Sequence, residues 1–167
     1  EKYFRKYEQA QQYMEAKVQQ VPAEESDLLK YYEENKGALE HAKVRHILVL
    51  CDEKAKADIV AEKKKAAEGI LDRVNKGEDF AALAKELSED PGSKDNGGMY
   101  EITPNTGFVK EFLDWTFSHK AGDTGIIKTV HGFHIMKLDE IFNTFESLRE
   151  DVTFAYKSSK YNSELEE

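Results

Sequence analysis

Residues 42–51, AKVRHILVLC, form a β-branched and aliphatic run of strand length, and the segments before them have helical periodicity. Tyr3, Tyr7, Ala10, Met14, Val18 and Val21 recur at helical spacing, which predicts one amphipathic helix over residues 1–21, ended by Pro22. AEESDLLKYYEENKG predicts a shorter helix carrying Leu28, Leu29, Tyr31 and Tyr32 and closing near Asn35 and Gly37. After the strand, Asp52 is the expected cap of a long helix through residues 53–77, with Ile59, Ala66, Ile70 and Val74 on its buried stripe. EDFAALAKELS follows as another helix. Residues 89–98, EDPGSKDNGG, are so dense in Pro, Gly, Asp and Asn that they read as an exposed, shaped loop. MYEI is a short strand, and GFVKEFLDWTFSHKAGD contains a helix with an aromatic face that ends by Gly122. TGIIKTV and GFHIMKLDEI are two last strands around a tight turn at His131-Gly132. From Thr144, the expected cap, Phe145, Leu148, Val152, Ala155 and Ser159 return to helical spacing. The compact centre is therefore residues 42–141, flanked by helical segments at 1–41 and 142–167.

The chain has 24 Lys and Arg against 33 Asp and Glu, a formal net charge of −9, and 40% hydrophobic residues, enough for a core. No run reaches the roughly 20 apolar residues of a membrane helix. The sequence begins at Glu1 with no charged-then-apolar leader, so any leader is expected to have been removed. Acidity, and the want of a Lys/Arg stripe interleaved with aromatics, argue against a nucleic-acid partner; Lys63, Lys64 and Lys65 read as a solvated helix face. Cys51 is the only cysteine, which excludes an internal disulfide and a Cys-rich metal site.

Two of the strand runs each carry a histidine on an apolar face. Alternation groups His46 with Leu48 and Leu50, and His134 with Met136 and Leu138. A lone histidine on such a face is ordinarily a core residue with one satisfied nitrogen. Two of them on antiparallel neighbours would meet, each imidazole orienting the other beneath a cleft. The same alternation turns Cys51 away from His46, which excludes thiol chemistry there.

VRHILV, SEDPGSKDNGGMY, TGFVKEF and TVHGFHIMKLDE follow in an order and spacing that resemble the parvulin family of peptidyl-prolyl cis-trans isomerases, over the whole of residues 42–141. The resemblance implies an α+β, FKBP-like fold: a four-stranded antiparallel sheet wrapped by helices, with the active cleft on one sheet face. It implies that His46 and His134 lie side by side, that Asp90 stands where relatives have Cys or Asp, and that Thr129 supplies a hydroxyl near the second histidine. These four are the expected catalytic residues. Met99, Ile102, Phe108 and Phe112 are the expected wall for the proline ring. Read without the resemblance, Asp90 before Pro91 equally shapes a turn, Thr129 is an ordinary strand residue, and Phe108 and Phe112 equally fill a core, where Trp115 and Phe117 are also expected. His41, His119 and His131 match nothing and are expected on the surface or in turns. A position that takes Cys or Asp argues against an obligatory nucleophile. Asp90 is therefore assigned an electrostatic role, its replacement by alanine is expected to reduce turnover with little loss of stability because it sits in a loop, and no metal or cofactor is implied.

Phosphate-directed parvulins carry a basic cluster after the first strand, whereas here that loop reads LCDEKAKAD, two lysines among three acids and no arginine fork. The substrates expected are unfolded, proline-containing, non-phosphorylated chains. The helices on either side resemble the layout of extracytoplasmic foldases of the PrsA and SurA type, whose terminal helical segments join into a chaperone lobe around an inserted parvulin domain. That resemblance implies a bacterial protein outside the cytoplasm, secreted or anchored through an N-terminal lipid or leader. The apolar stripes of residues 1–21 and 144–160 further suggest pairing of two copies through these helices. The competing reading is a catalytically weak module that only holds peptides.

Overall fold

The computed structural model describes residues 2–166. Contacts divide it into two units: residues up to Leu39 together with those from Asn143 onward, and Glu40–Phe142.

The central unit contains β1 (His41–Leu50), α3 (Ala57–Asn75), α4 (Phe80–Leu87), β2 (Met99–Ile102), α5 (Lys110–Ser118), β3 (Thr124–Thr129) and β4 (Gly132–Phe142). The helices numbered below these, α1 (Lys2–Gln20) and α2 (Glu25–Leu39), precede it, and α6 (Arg149–Glu166) follows it. The strands form one antiparallel sheet in the order β2-β1-β4-β3. Long β1 and β4 are the central pair, and their register slips once, between Lys43 and Val44. Partners opposite one another share a face, so pairing sorts the sheet cleanly. Ile47, Val49, Phe133 and Ile135 face α3 and α4, where Ala67, Phe80, Leu83 and Ala84 complete a core. Val44, Met136, Leu138 and Ile102 face α5, which lays Phe112 and Trp115 on them. His46 and His134 lie on this second face, and Cys51 is buried in the first core, as alternation predicts.

Local chemistry sets the helix ends. Asp79 caps α4 by accepting the Ala82 N–H at 2.7 Å, an interaction typically worth about 1 kcal/mol. Asp52 does not cap α3 as expected. It accepts the Lys54 N–H at 2.7 Å in a turn, and the helix begins only at Ala57. The short side chain closes a turn on its own neighbours before a helical turn can form. The second helix runs past Asn35 and Gly37 to Leu39, and the aromatic helix stops at Ser118, ahead of Gly122. At the last helix, Thr144 and Ser147 exchange hydrogen bonds in the turn ahead of Arg149.

In the terminal unit, α6 packs on α1 and α2. Tyr156 meets Tyr31 edge-on with ring centroids 5.8 Å apart, Phe145 lies 5.8 Å from Tyr32, and Arg149 pairs with Glu25 at 3.0 Å. Val18, Leu28, Tyr32, Leu148 and Val152 are buried, whereas Tyr7, Met14 and Phe154 line an open groove between α1 and α6. The Tyr3 side chain of the predicted stripe lies outside the described residues.

Candidate active site

The cleft sits on the α5 face of the sheet, with a volume of about 420 Å³. Its position follows from unequal strand lengths. The four-residue β2 pairs only with Ala42 to Arg45, so β1 from His46 onward would be an open edge. The loop after α4 covers that edge. Leu48 N–H donates to Ser88 Oγ at 3.2 Å, Glu89 N–H to the Leu48 carbonyl at 2.9 Å, and Leu50 N–H to Glu89 Oε2 at 2.7 Å. His46 N–H donates to the Gly98 carbonyl at 2.9 Å. Gly98 has φ +75°, and a Cβ there would stand 2.3 Å from the His46 carbonyl oxygen, so only glycine permits the approach. The loop thereby delivers Asp90 to the end of the His46 ring.

The buried groups form one hydrogen-bonded chain. His46 Nε2 is 2.8 Å from Asp90 Oδ2, His46 Nδ1 is 3.0 Å from His134 Nδ1, and His134 Nε2 is 2.8 Å from Thr129 Oγ1. The carboxylate accepts only, so His46 Nε2 donates to it and its Nδ1 must accept. His134 Nδ1 then donates, its Nε2 accepts, and the Thr129 hydroxyl donates to it while taking the His131 N–H at 3.1 Å. Every donor points toward Asp90. Among the described residues no buried side-chain polar atom lacks a partner.

Electrostatics follow from this order. Burial alone would raise the Asp90 pKa, but donors from Ser93, His46, the Gly92 N–H and Tyr100 outweigh it and hold the carboxyl at about 2. Asp90 is therefore ionised at neutral pH. Burial lowers His46 despite the Asp90 charge, and burial with the neighbouring His46 and His131 lowers His134 to about 3. Both rings are neutral at neutral pH, as their tautomers require.

The structure brings His46, Asp90, Thr129 and His134 together, and it lines the cleft with Phe108 and Phe112, stacked with centroids 4.9 Å apart. It does not bring Met99 or Ile102 to the cleft. The two are three residues apart on one strand and so face opposite ways. Met99 lies against the Arg45 guanidinium on the other face, while Ile102 is on the correct face but sealed in the core under α5 at 1% exposure. The β2 residue that lines the cleft is Tyr100, which strand parity with Ile102 could have revealed. Its ring meets Phe108 edge-on at 4.9 Å and its hydroxyl donates to Asp90 Oδ2 at 2.9 Å. Ser93, also unforeseen, is buried and donates to the same oxygen. His131 is an exposed turn residue, as expected, yet it edges the cleft. Among the described residues no cluster of His, Cys, Asp or Glu is disposed to hold a metal ion.

Sheet order, cleft and histidine pair define a class. The chain belongs to the PPIC-type PPIase domain family, whose model matches residues 26–141. It is 42% identical over 136 residues to the foldase protein PrsA of Caldanaerobacter subterraneus subsp. tengcongensis, covering 76% of this chain and 40% of that one. To the foldase protein PrsA of Geobacillus sp. it is 34% identical over 148 residues, covering 87% and 48%. The solved peptidylprolyl isomerase PrsA of Bacillus cereus superposes with a TM-score of 0.50 at 31% identity, over 87% of this chain and 50% of that chain. The chain thus spans less than half the length of these curated relatives.

Proposed function

We propose that the central unit is a peptidyl-prolyl cis-trans isomerase acting on unfolded, non-phosphorylated chains, with His46, Asp90, Thr129 and His134 as its polar machinery. The observation that carries this reading is an ionised carboxylate, held by a fixed chain of neutral imidazoles, at the end of an aromatic-walled cleft. Rotation about an X–Pro bond meets a barrier of about 18–20 kcal/mol because amide resonance is lost on twisting. In the planar amide the carbonyl oxygen is electron-rich. A nearby carboxylate opposes that charge and so favours the twisted form, in which the oxygen is less negative. Phe108, Phe112 and the Tyr100 ring grip the proline while the preceding residue rotates. His46 and His134 fix the tautomer that keeps a donor on Asp90, and Thr129 closes the chain; no covalent bond is made.

A proline-limited assay on a short unphosphorylated peptide tests this, with its phosphorylated twin as comparison. Turnover of the plain peptide is expected, and a strong preference for the phosphorylated one sinks the substrate assignment. The carboxylates around the cleft, Glu89 and Asp90, favour that order.

The terminal helices act, on this reading, as part of a chaperone lobe. Tyr7, Met14 and Phe154 expose apolar surface in the α1/α6 groove, suited to holding unfolded segments or to pairing with a second copy. Among the described residues no helix is long and apolar enough to cross a membrane. The likeness to PrsA foldases supports a location outside a bacterial cytoplasm, with anchoring by lipid or leader. Residues 40–142 alone should keep isomerisation and lose suppression of client aggregation. Equal protection by both forms would remove the lobe from this account.

A further inference from the structure

The two ends of Tyr100 meet different parts of the site. Its ring lines the cleft beside Phe108, and its hydroxyl reaches Asp90 Oδ2 at 2.9 Å. That oxygen also takes His46 Nε2–H and the Ser93 hydroxyl, so its donors come from β1, from β2 and from the loop itself. Among the described residues Oδ1 takes only the Gly92 N–H, at 3.1 Å, and keeps acceptor capacity for a substrate. We infer that the Tyr100 hydroxyl is a positioning group for Asp90, orienting the carboxylate from the β2 side while the ring of the same residue serves as wall. The inference rests on the isomerase reading of the cleft.

Gly92 supplies an independent observation. Its backbone is not among the left-handed glycines, so conformation does not demand glycine there. Clearance bears on the hydroxyl instead: a Cβ at Gly92 would stand 2.5 Å from the Tyr100 hydroxyl oxygen, which would have to shift, and 3.4 Å from Asp90 Oδ1. The bare position keeps open the space through which the hydroxyl reaches the carboxylate. Burial and then the Asp90 hydrogen bond raise the Tyr100 pKa, so the phenol remains a donor through the neutral range.

The test uses Tyr100→Phe, Gly92→Ala and the double variant in the full chain. Turnover of an unphosphorylated X–Pro peptide is measured with a carbon NMR titration of the Asp90 carboxyl, and Trp115 fluorescence checks folding. Tyr100→Phe should lower kcat on the order of tenfold with KM held within about twofold, because the ring stays. The Asp90 titration should move upward, since a donor to the charged form is gone. Gly92→Ala should act in the same direction, and the double variant should be no worse than the worse single, because both remove one hydrogen bond. A raised KM at unchanged kcat, an unmoved carboxyl titration, or effects that multiply in the double variant would overturn the inference. If Gly92→Ala does not fold, Tyr100→Phe decides alone. A wild-type protein inert toward the peptide overturns the isomerase reading only, and the carboxyl titration then decides the role of Tyr100.

Discussion

The central and terminal units differ in what they leave uncovered. In the central unit both sheet faces are packed by helices, and its exposed large apolar residues include Leu50 and Val130 beside the cleft. The terminal unit buries Val18, Leu28, Tyr32, Leu148 and Val152, while Phe4, Tyr7, Tyr13, Met14, Phe154 and Leu165 stay exposed. One unit concentrates its stability in a sheet whose polar groups are paired, and the other keeps apolar surface in contact with water. A substitution in the packed sheet should therefore act through folding, and one on the exposed α1/α6 groove through binding.

Acid should affect the central unit most. His134 has its pKa lowered from 6.5 to about 3, so below pH 6.5 the unfolded chain takes up a proton that the folded one refuses. The stability concerned is complete above pH 6.5 and is lost as pH falls toward 3, on the order of 5 kcal/mol for that shift. Asp90, lowered from 3.8 to about 2 but only partly buried and so screened by solvent, adds a smaller loss on the way below pH 4. Trp115, the only tryptophan and 8% exposed, reports this unit alone. A urea midpoint by its fluorescence that stays fixed from pH 7 to 4 would mean the imidazoles accept protons in place.

Ile135, fully buried against α3 and α4, should on replacement by alanine destabilise the same transition by about 2–5 kcal/mol. Phe154→Ala, at a residue 51% exposed, should change stability by less than about 0.5 kcal/mol yet weaken aggregation suppression. Equal destabilisation by the two would erase the contrast between the units. Between these extremes falls Asp90→Ala. It leaves the donors of His46, Ser93, Tyr100 and Gly92 facing a void, so about 2 kcal/mol should be lost together with a roughly tenfold to hundredfold fall in turnover. These partners favour a larger loss than the small one expected of a loop carboxylate; retention of full stability would bear out the smaller one.

Periodicity was enough for the element order and for both histidine faces, because alternation along β1 and β4 is a local property. The wall was harder. Likeness of position points to Met99 and Ile102, whereas strand parity alone shows they cannot share a face. Ser93 carries no signal in the chain, since its role exists only once the loop folds back on His46. Asp52 shows the same limit in miniature, as a turn and a helix cap compete for one carboxylate.

The loop over β1 has a meaning beyond carrying Asp90. Ser88 and Glu89 occupy the N–H groups of Leu48 and Leu50 with side-chain oxygens, so these two rungs beside the cleft are closed to an extended peptide. Unpaired strand edges template the addition of further strands, and unfolded chains are the partners most ready to add one. On the proposed function such chains are the substrate, and each one has to be released. If that reading holds, capping this margin with hydroxyl and carboxylate groups would leave a passing polypeptide its side chains as handholds and deny it a backbone ladder there, which would keep each encounter brief.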